Sequence, residues 1–203
     1  MNKTKKIRIL NLYAGIGGNR KLWKGNNFEI TAVENDEATA AQYALMFPND
    51  IVIVADAHQF LLENFMNYDI VWGSPPCPTH SRINHARTRK PDYADMRLYA
   101  EIIFLNHWFK GKFIIENVIP FYKPLIEAQT IDRHLFWTNF KIEPFEPKNK
   151  ATIRMKGGTV PFAKIFGFDI SKSKIKDKRK ALRNCVHPET GLHILKAAIS
   201  QLN

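Results

Sequence analysis

Cysteine is scarce in this sequence: Cys77 and Cys185 are the only two among 203 residues. They form neither a metal-ligand spacing nor a disulfide framework, so no metal is expected and a reducing compartment is the expected setting. Long apolar runs are missing too, and none approaches the roughly 20 residues that a membrane span needs. The Met-Asn-Lys-Thr-Lys-Lys start leads straight into a strand-like run without a signal-peptide pattern, which points to the cytoplasm. Acids are outnumbered, with 19 Asp and Glu against 30 Lys and Arg and a formal net charge of +11. What is present is ordinary: 45% hydrophobic and 24% charged residues exclude wholesale disorder and a collagen-like fibre. The length suits one domain, or one with a small appendage, and permits a core without staples. No internal repeat is visible.

The charge is concentrated. Lys148–Arg183 holds 12 of the 30 cations and only two acids, Asp169 and Asp177, which leaves 18 cations and 17 acids elsewhere. A nearly neutral body therefore carries one basic segment, densest at Lys172, Lys174, Lys176, Lys178, Arg179 and Lys180. Two readings stand: a polyanion-binding surface, most simply for nucleic acid, or a solvated loop.

Short apolar runs punctuate the chain. Ile7–Tyr13, Phe28–Glu34, Ile51–Val54, Asp69–Trp72, Phe113–Glu116 and His134–Phe140 read as strands. Glu37–Phe47, Asp95–Phe109 and Thr190–Leu202 carry apolar residues at helical spacing. Thr79–Asp92 is polar and basic, without periodicity, and reads as a long loop of the functional kind. Strands alternating with helices predict an α/β fold with a mostly parallel sheet and helices on both faces.

In such a sheet, ligands bind beyond the carboxyl ends of the strands. The turn Gly15-Ile16-Gly17-Gly18 stands where the first strand is expected to meet its helix, and its glycines permit close backbone approach to a ligand. Glu34 ends the second strand, where a carboxylate can accept from both ribose hydroxyls. Asp56 ends the third, within reach of an adenine amino group. Together these predict an adenosine-type cofactor, although either acid alone is equally a surface turn residue. The loop lacks the Lys-Ser/Thr ending of a phosphate-binding P-loop, which disfavours ATP.

Cys77 sits in Ser74-Pro75-Pro76-Cys77-Pro78, after the fourth strand. The prolines forbid regular helix or central strand there, so the thiol belongs to a stiff loop where active sites form. A nucleophilic cysteine must be exposed and partly thiolate, and the cations Arg82, Arg87, Arg89 and Lys90 are expected to favour that form. Glu116-Asn117-Val118 follows the fifth strand at the same edge. A carboxyl in a dry pocket there can stay protonated and donate a hydrogen bond. The bland alternative for Glu116 is a turn carboxylate.

These motifs, in this order, resemble the cytosine-5 DNA methyltransferase family. Asn11–Gly18 is similar to its S-adenosylmethionine loop, Ser74–Cys77 to its catalytic Pro-Cys motif, and Glu116-Asn117-Val118 to its Glu-Asn-Val motif. Arg133, with Gln129 before it, resembles the end of its Gln-x-Arg-x-Arg motif, and Asn184-Cys185-Val186 its last motif. The resemblance runs from about residue 7 to residue 200. It implies S-adenosyl-L-methionine bound against Tyr13, Ala14, Gly15, Ile16, Gly17, Gly18, Glu34, Asn35, Asp56, Ala57, Pro75, Asn184 and Val186. It implies a thiolate attack by Cys77 on carbon 6 of a flipped-out cytosine. Glu116 would hold the base's nitrogen 3 and amino edge, Arg133 its carbonyl oxygen, and Asn117 would brace the loop. Duplex DNA would be the partner of a monomer, gripped by Ser81, Arg82, Arg87, Arg89 and the basic run from Lys172 to Lys180, with Ser81 or Ile83 filling the vacated stack.

The sequence also departs from the pattern. Pro78 stands where the family usually has Gln, Ile131 replaces an Arg, Glu116 to Arg133 is shorter than usual, and Arg183 replaces the usual Gly. The recognition region is reduced to Phe140–Leu182, where Gly157-Gly158 reads as a turn in a two-stranded arm between Lys150–Lys156 and Thr159–Phe166. The expected layout is a catalytic core at 1–140, a reduced basic recognition segment at 141–182, and a returning motif and helix at 183–203. Such an arm grips phosphates but offers few side chains to bases, which predicts short or relaxed specificity. The resemblance suggests a stand-alone enzyme of the kind that phage and mobile elements use for self-protection. The alternatives are a transfer-RNA cytosine methyltransferase and a non-catalytic DNA-binding relic.

Overall fold

A computed structural model describes residues 6–25, 27–82, 93–148 and 158–202. Arg87, Arg89 and Ile83, the end of the expected Thr79–Asp92 loop, and the expected first arm strand at 150–156 lie outside the described residues.

Seven strands form one sheet: β1 (Ile7–Leu12), β2 (Phe28–Glu34), β3 (Ile51–Val54), β4 (Ile70–Gly73), β5 (Lys112–Val118), β6 (Gln129–Ile131) and β7 (His134–Thr138). Their order is β3-β2-β1-β4-β5-β7-β6. The first five run parallel, and β7 and β6 add an antiparallel edge. The helices are α1 (Glu37–Met46), α2 (Ala57–Asn64), α3 (Arg97–Trp108), α4 (Val160–Phe166), α5 (Lys178–Arg183) and α6 (Pro188–Ser200).

The central strands are apolar throughout because both faces are covered. Leu10, Leu12, Val71, Phe113 and Ile115 pack on one side with Leu61 of α2 and Leu98, Ile102 and Leu105 of α3. The alternate positions Ile9, Ile70, Trp72 and Ile114 pack on the other with Ile194, Leu195 and Ala198 of α6. A third cluster joins Ile16 and Tyr43 to Phe162, Phe166, Ile175 and Leu182. This is the Rossmann-like α/β architecture that the strand–helix alternation predicts. No helix among the described residues is long and apolar enough to cross a membrane, and no group of three or more His, Cys, Asp or Glu among them could hold a metal ion.

Three expectations need correction. Among the described residues no regular helix links β1 to β2; those after the glycine turn form successive turns. Side chains fix them instead: Asn19 donates to Asn11 (2.8 Å), and the Trp23 indole donates to the Gly191 carbonyl of α6 (3.1 Å). Gly191 allows this approach, since a Cβ there would fall 2.3 Å from the Asn19 carbonyl oxygen. Second, Thr159–Phe166 is not an arm strand but holds α4. Pro161 suits a first helical turn, Phe162 and Phe166 stack at i,i+4 spacing, and Gly167 ends the helix at φ +67°. Third, β6, α2 and α5 were not anticipated. β6 has three residues, too few for a periodic signal, and α2 and α5 are started by Asp56 and Asp177, whose carboxylates cap the Gln59 and Lys180 amides.

Candidate active site

Strand order reverses direction between β1 and β4, and the crevice at their carboxyl ends is where an open parallel sheet holds ligands. A cavity of about 600 Å³ opens there. The β1 turn supplies Tyr13, Ala14, Gly15, Ile16 and Gly18 to its wall, β2 supplies Glu34 and Asn35, and the start of α2 supplies Asp56 and Ala57. Pro75 and Cys77 come from the loop after β4, and Asn184 and Val186 from the C-terminal motif. Gly17 is not part of the lining. Its φ is +78°, and a Cβ would fall 2.3 Å from the Phe47 ring, so it permits packing rather than ligand approach. Gly18 lets the C-terminal motif close on the turn, because a Cβ there would meet Cys185 Cβ at 2.5 Å and the Val186 carbonyl at 2.8 Å.

Glu34 organises the turn: one carboxylate oxygen accepts from the Gly15 amide (2.9 Å), the other from the Asp36 amide (3.0 Å). Tyr13, at φ +53°, donates to buried Glu101 (2.5 Å), which also pairs with His58 (2.8 Å). Burial and Glu101 push the Tyr13 phenol well above its usual range, so it stays an O–H donor. The acids at the ends of β2 and β3, a backbone turn and an apolar wall suit an adenosine cofactor as a donor set.

Cys77 is partly exposed on the wall. Burial, then the Glu116 carboxyl, raises its thiol above the usual range, with Arg183 and Lys180 opposing. The expected thiolate-favouring role of Arg82 therefore fails: its guanidinium donates to the Pro120 carbonyl (3.1 Å). Glu116 is buried and not in the cavity lining, and desolvation pushes it up to about 7 despite a hydrogen bond from Ser74 and the nearby Arg133 charge. His134 stands 3.6 Å away, held neutral by burial at about 3. Arg133 is also off the cavity wall and donates to the Arg183 carbonyl (3.0 Å), tying the β6–β7 turn to the C-terminal motif. Asn117 donates to the Pro75 carbonyl (3.1 Å), which is the brace expected of it. Gln129 is occupied at the sheet edge with Thr138, Phe140 and Ile142.

The basic run divides. Lys174, Lys176 and Lys180 line the cavity, whereas Lys172 does not; Lys178 donates to the Ser171 carbonyl, and Arg179 lies over the Phe162 ring. Ser81 bridges Pro120. Sequence reasoning missed the lining residues His80, Asp95 and Arg97. Only His80, three residues after Cys77, lay close enough to the Pro-Cys motif to be hinted at.

A family model of C-5 cytosine-specific DNA methylases matches residues 7–127. The chain belongs to this family. Its methyl donor is S-adenosyl-L-methionine, and the chemistry of the cavity fits that molecule. Among curated proteins none matches. Among solved structures, an E. coli protein described as a DNA modification methyltransferase encoded within a prophage is 22% identical, with TM-score 0.40, over 58% of this chain and 34% of that one. Spodoptera frugiperda DNMT2 is 28% identical, with TM-score 0.41, over 56% and 36%. S. pombe Dnmt2 methyltransferase is 19% identical, with TM-score 0.39, over 56% and 34%. The chain thus spans little more than a third of the length of these methyltransferases.

Proposed function

We propose that this family member methylates carbon 5 of cytosine in DNA through a covalent Cys77 adduct. The observation that carries the reading is the placement of Cys77 on the wall of the cavity with the buried Glu116 carboxyl near enough to act on its thiol. S-adenosyl-L-methionine supplies an electrophilic methyl group when bound. Glu34 and Asp56 would take its ribose and adenine, and Asn184 and Val186 its methionine end. The Cys77 thiolate attacks carbon 6 of the flipped base, and the carbon 5–carbon 6 double bond supplies the electron pair that takes the methyl at carbon 5. Protonated Glu116 donates to nitrogen 3 as charge develops there, and a pKa raised to about 7 keeps a substantial share of it protonated at neutral pH. Arg133 is proposed for the carbonyl oxygen. Loss of the carbon 5 proton to solvent restores the double bond and expels the Cys77 thiolate.

The basic segment at 141–182 is proposed as a reduced recognition region between a core at 1–140 and the returning motif at 183–203. Its Lys172, Lys174, Lys176, Lys178, Arg179 and Lys180, with Ser81, Arg82, Arg87 and Arg89 of the core, are the proposed nucleic-acid contacts, giving short or relaxed specificity and salt-sensitive binding. The test is methyl transfer from labelled S-adenosylmethionine to duplex DNA and, separately, to transfer RNA, with Cys77→Ser as control. Transfer to DNA and a trapped adduct on 5-fluorocytosine DNA, both lost in Cys77→Ser, are expected. Transfer to RNA alone, or to neither, would overturn the reading.

A further inference from the structure

His80 is nearly fully buried, at 1% exposed, yet it borders the cavity three residues after Cys77. Its amide donates to the Cys77 carbonyl (3.0 Å), and its own carbonyl accepts from the Phe121 amide (3.1 Å). Its Nδ1 lies 2.5 Å from the Tyr122 hydroxyl, which lies 3.2 Å from the Tyr99 hydroxyl. The Tyr99 oxygen in turn accepts from the Leu125 amide (3.2 Å). The neighbouring Thr79 Oγ1 accepts from the Asp95 amide (3.0 Å). His80 and Thr79 thus join the Pro-Cys turn to the stretch after β5 and to the approach to α3.

The protonation states agree with this geometry. Burial holds His80 below the ordinary histidine range and Tyr122 above the ordinary phenol range. A neutral imidazole faces an intact phenol, so the phenol donates and Nδ1 accepts, which leaves the ring hydrogen on Nε2. The tautomer is set by the partners, and the ring orientation with it. Nucleophilic attack needs the reacting atoms about 3–3.5 Å apart, and a misplacement of about 1 Å costs on the order of 100-fold in rate. A turn framed by Pro75, Pro76 and Pro78 moves as a unit, so its tilt carries the thiol with it.

We propose that His80 is a positioning residue for Cys77, holding the turn that presents the thiol through its ring's hydrogen bond to Tyr122 and its carbonyl's bond to the Phe121 amide. This rests on the reading of Cys77 as the nucleophile. His80→Phe keeps a ring and removes both polar atoms, whereas His80→Asn keeps an acceptor where Nδ1 stands. Tyr122→Phe removes the donor at constant shape. The readouts are the rate of adduct formation on 5-fluorocytosine DNA, the KM for S-adenosylmethionine, and the alkylation rate of Cys77 by iodoacetamide, located by mass spectrometry. All are taken well below the melting temperature of each variant.

His80→Phe and Tyr122→Phe are expected to slow adduct formation about tenfold or more and not to compound in the double variant, and Tyr122→Phe, whose site is off the cavity wall, is expected to leave KM within about twofold. His80→Asn is expected to recover most of the rate. Unchanged adduct rates, or an Asn variant as slow as the Phe variant, would overturn the proposal. If His80→Phe does not fold, Tyr122→Phe carries the test. If the wild-type chain forms no adduct on DNA or transfer RNA, it is the functional reading that fails, and alkylation decides: altered Cys77 reactivity in Tyr122→Phe supports positioning by His80, and unaltered reactivity overturns it.

Discussion

Replacing Glu116 by glutamine removes a carboxyl that the fold buries at a cost. Desolvation lifts its pKa from 4.5 to about 7, and each tenfold in a proton equilibrium is about 1.4 kcal/mol. Ionised Glu116 therefore weakens the native state by about 3 kcal/mol relative to the unfolded chain. The folded pKa lies above the unfolded one, so its contribution is fully favourable below pH 4.5 and is lost as pH rises through 7. His134 works in the opposite direction: burial lowers it from 6.5 to about 3, so its contribution is present above 6.5 and is lost as pH falls. Between pH 4.5 and 6.5 the two trends oppose each other in the wild type, and only the histidine trend remains in Glu116→Gln. The assay is urea denaturation of both proteins from pH 4.5 to 8. The variant should gain about 3 kcal/mol on the wild type across that range, while methyl transfer falls by roughly 100-fold or more from loss of a titrating donor. A stability difference that stays constant with pH would refute the argument.

Other outcomes test the packing and the charge. Gly17→Ala should cost more stability in urea denaturation than Gly15→Ala. Both hold left-handed φ values, a penalty of about 1–2 kcal/mol for a side chain, but only Gly17 also puts a Cβ against Phe47, which adds roughly 1–3 kcal/mol. Equal losses would contradict the packing. Lys172→Gln should weaken DNA binding and flatten its salt dependence while cofactor affinity by calorimetry stays put. Lys180→Gln should change both, because Lys180 lines the cavity.

The glycine turn, Glu34, Cys77 and Glu116 were legible because residue type and position at strand ends together specify chemistry. The strands were legible because two-sided burial leaves continuous apolar runs. What was hidden depended on distant partners. Nothing in the type of His80 marks it, since its role comes from Tyr99 and Tyr122 on other segments. The Lys172–Lys180 run looks uniform, yet Ile175 is buried in the cluster around Phe162 and Leu182, and that anchor turns Lys174 and Lys176 onto the cavity wall. Thr159–Phe166 looked like an arm strand because the stacking of Phe162 on Phe166 shows only once the helix exists.

The lysines on the cavity wall also bear on the timing of turnover. Lys174, Lys176 and Lys180 feel the charge of whatever the cavity holds, and they belong to the segment proposed to face a polyanion. Binding at the two places is then linked, and each ligand changes the other's affinity by the same factor. Under the proposed function, a sulfonium donor would add a positive charge to this field and strengthen the hold on nucleic acid. Methyl transfer would remove that charge and loosen the hold, so the chemical step itself would favour departure of the modified strand.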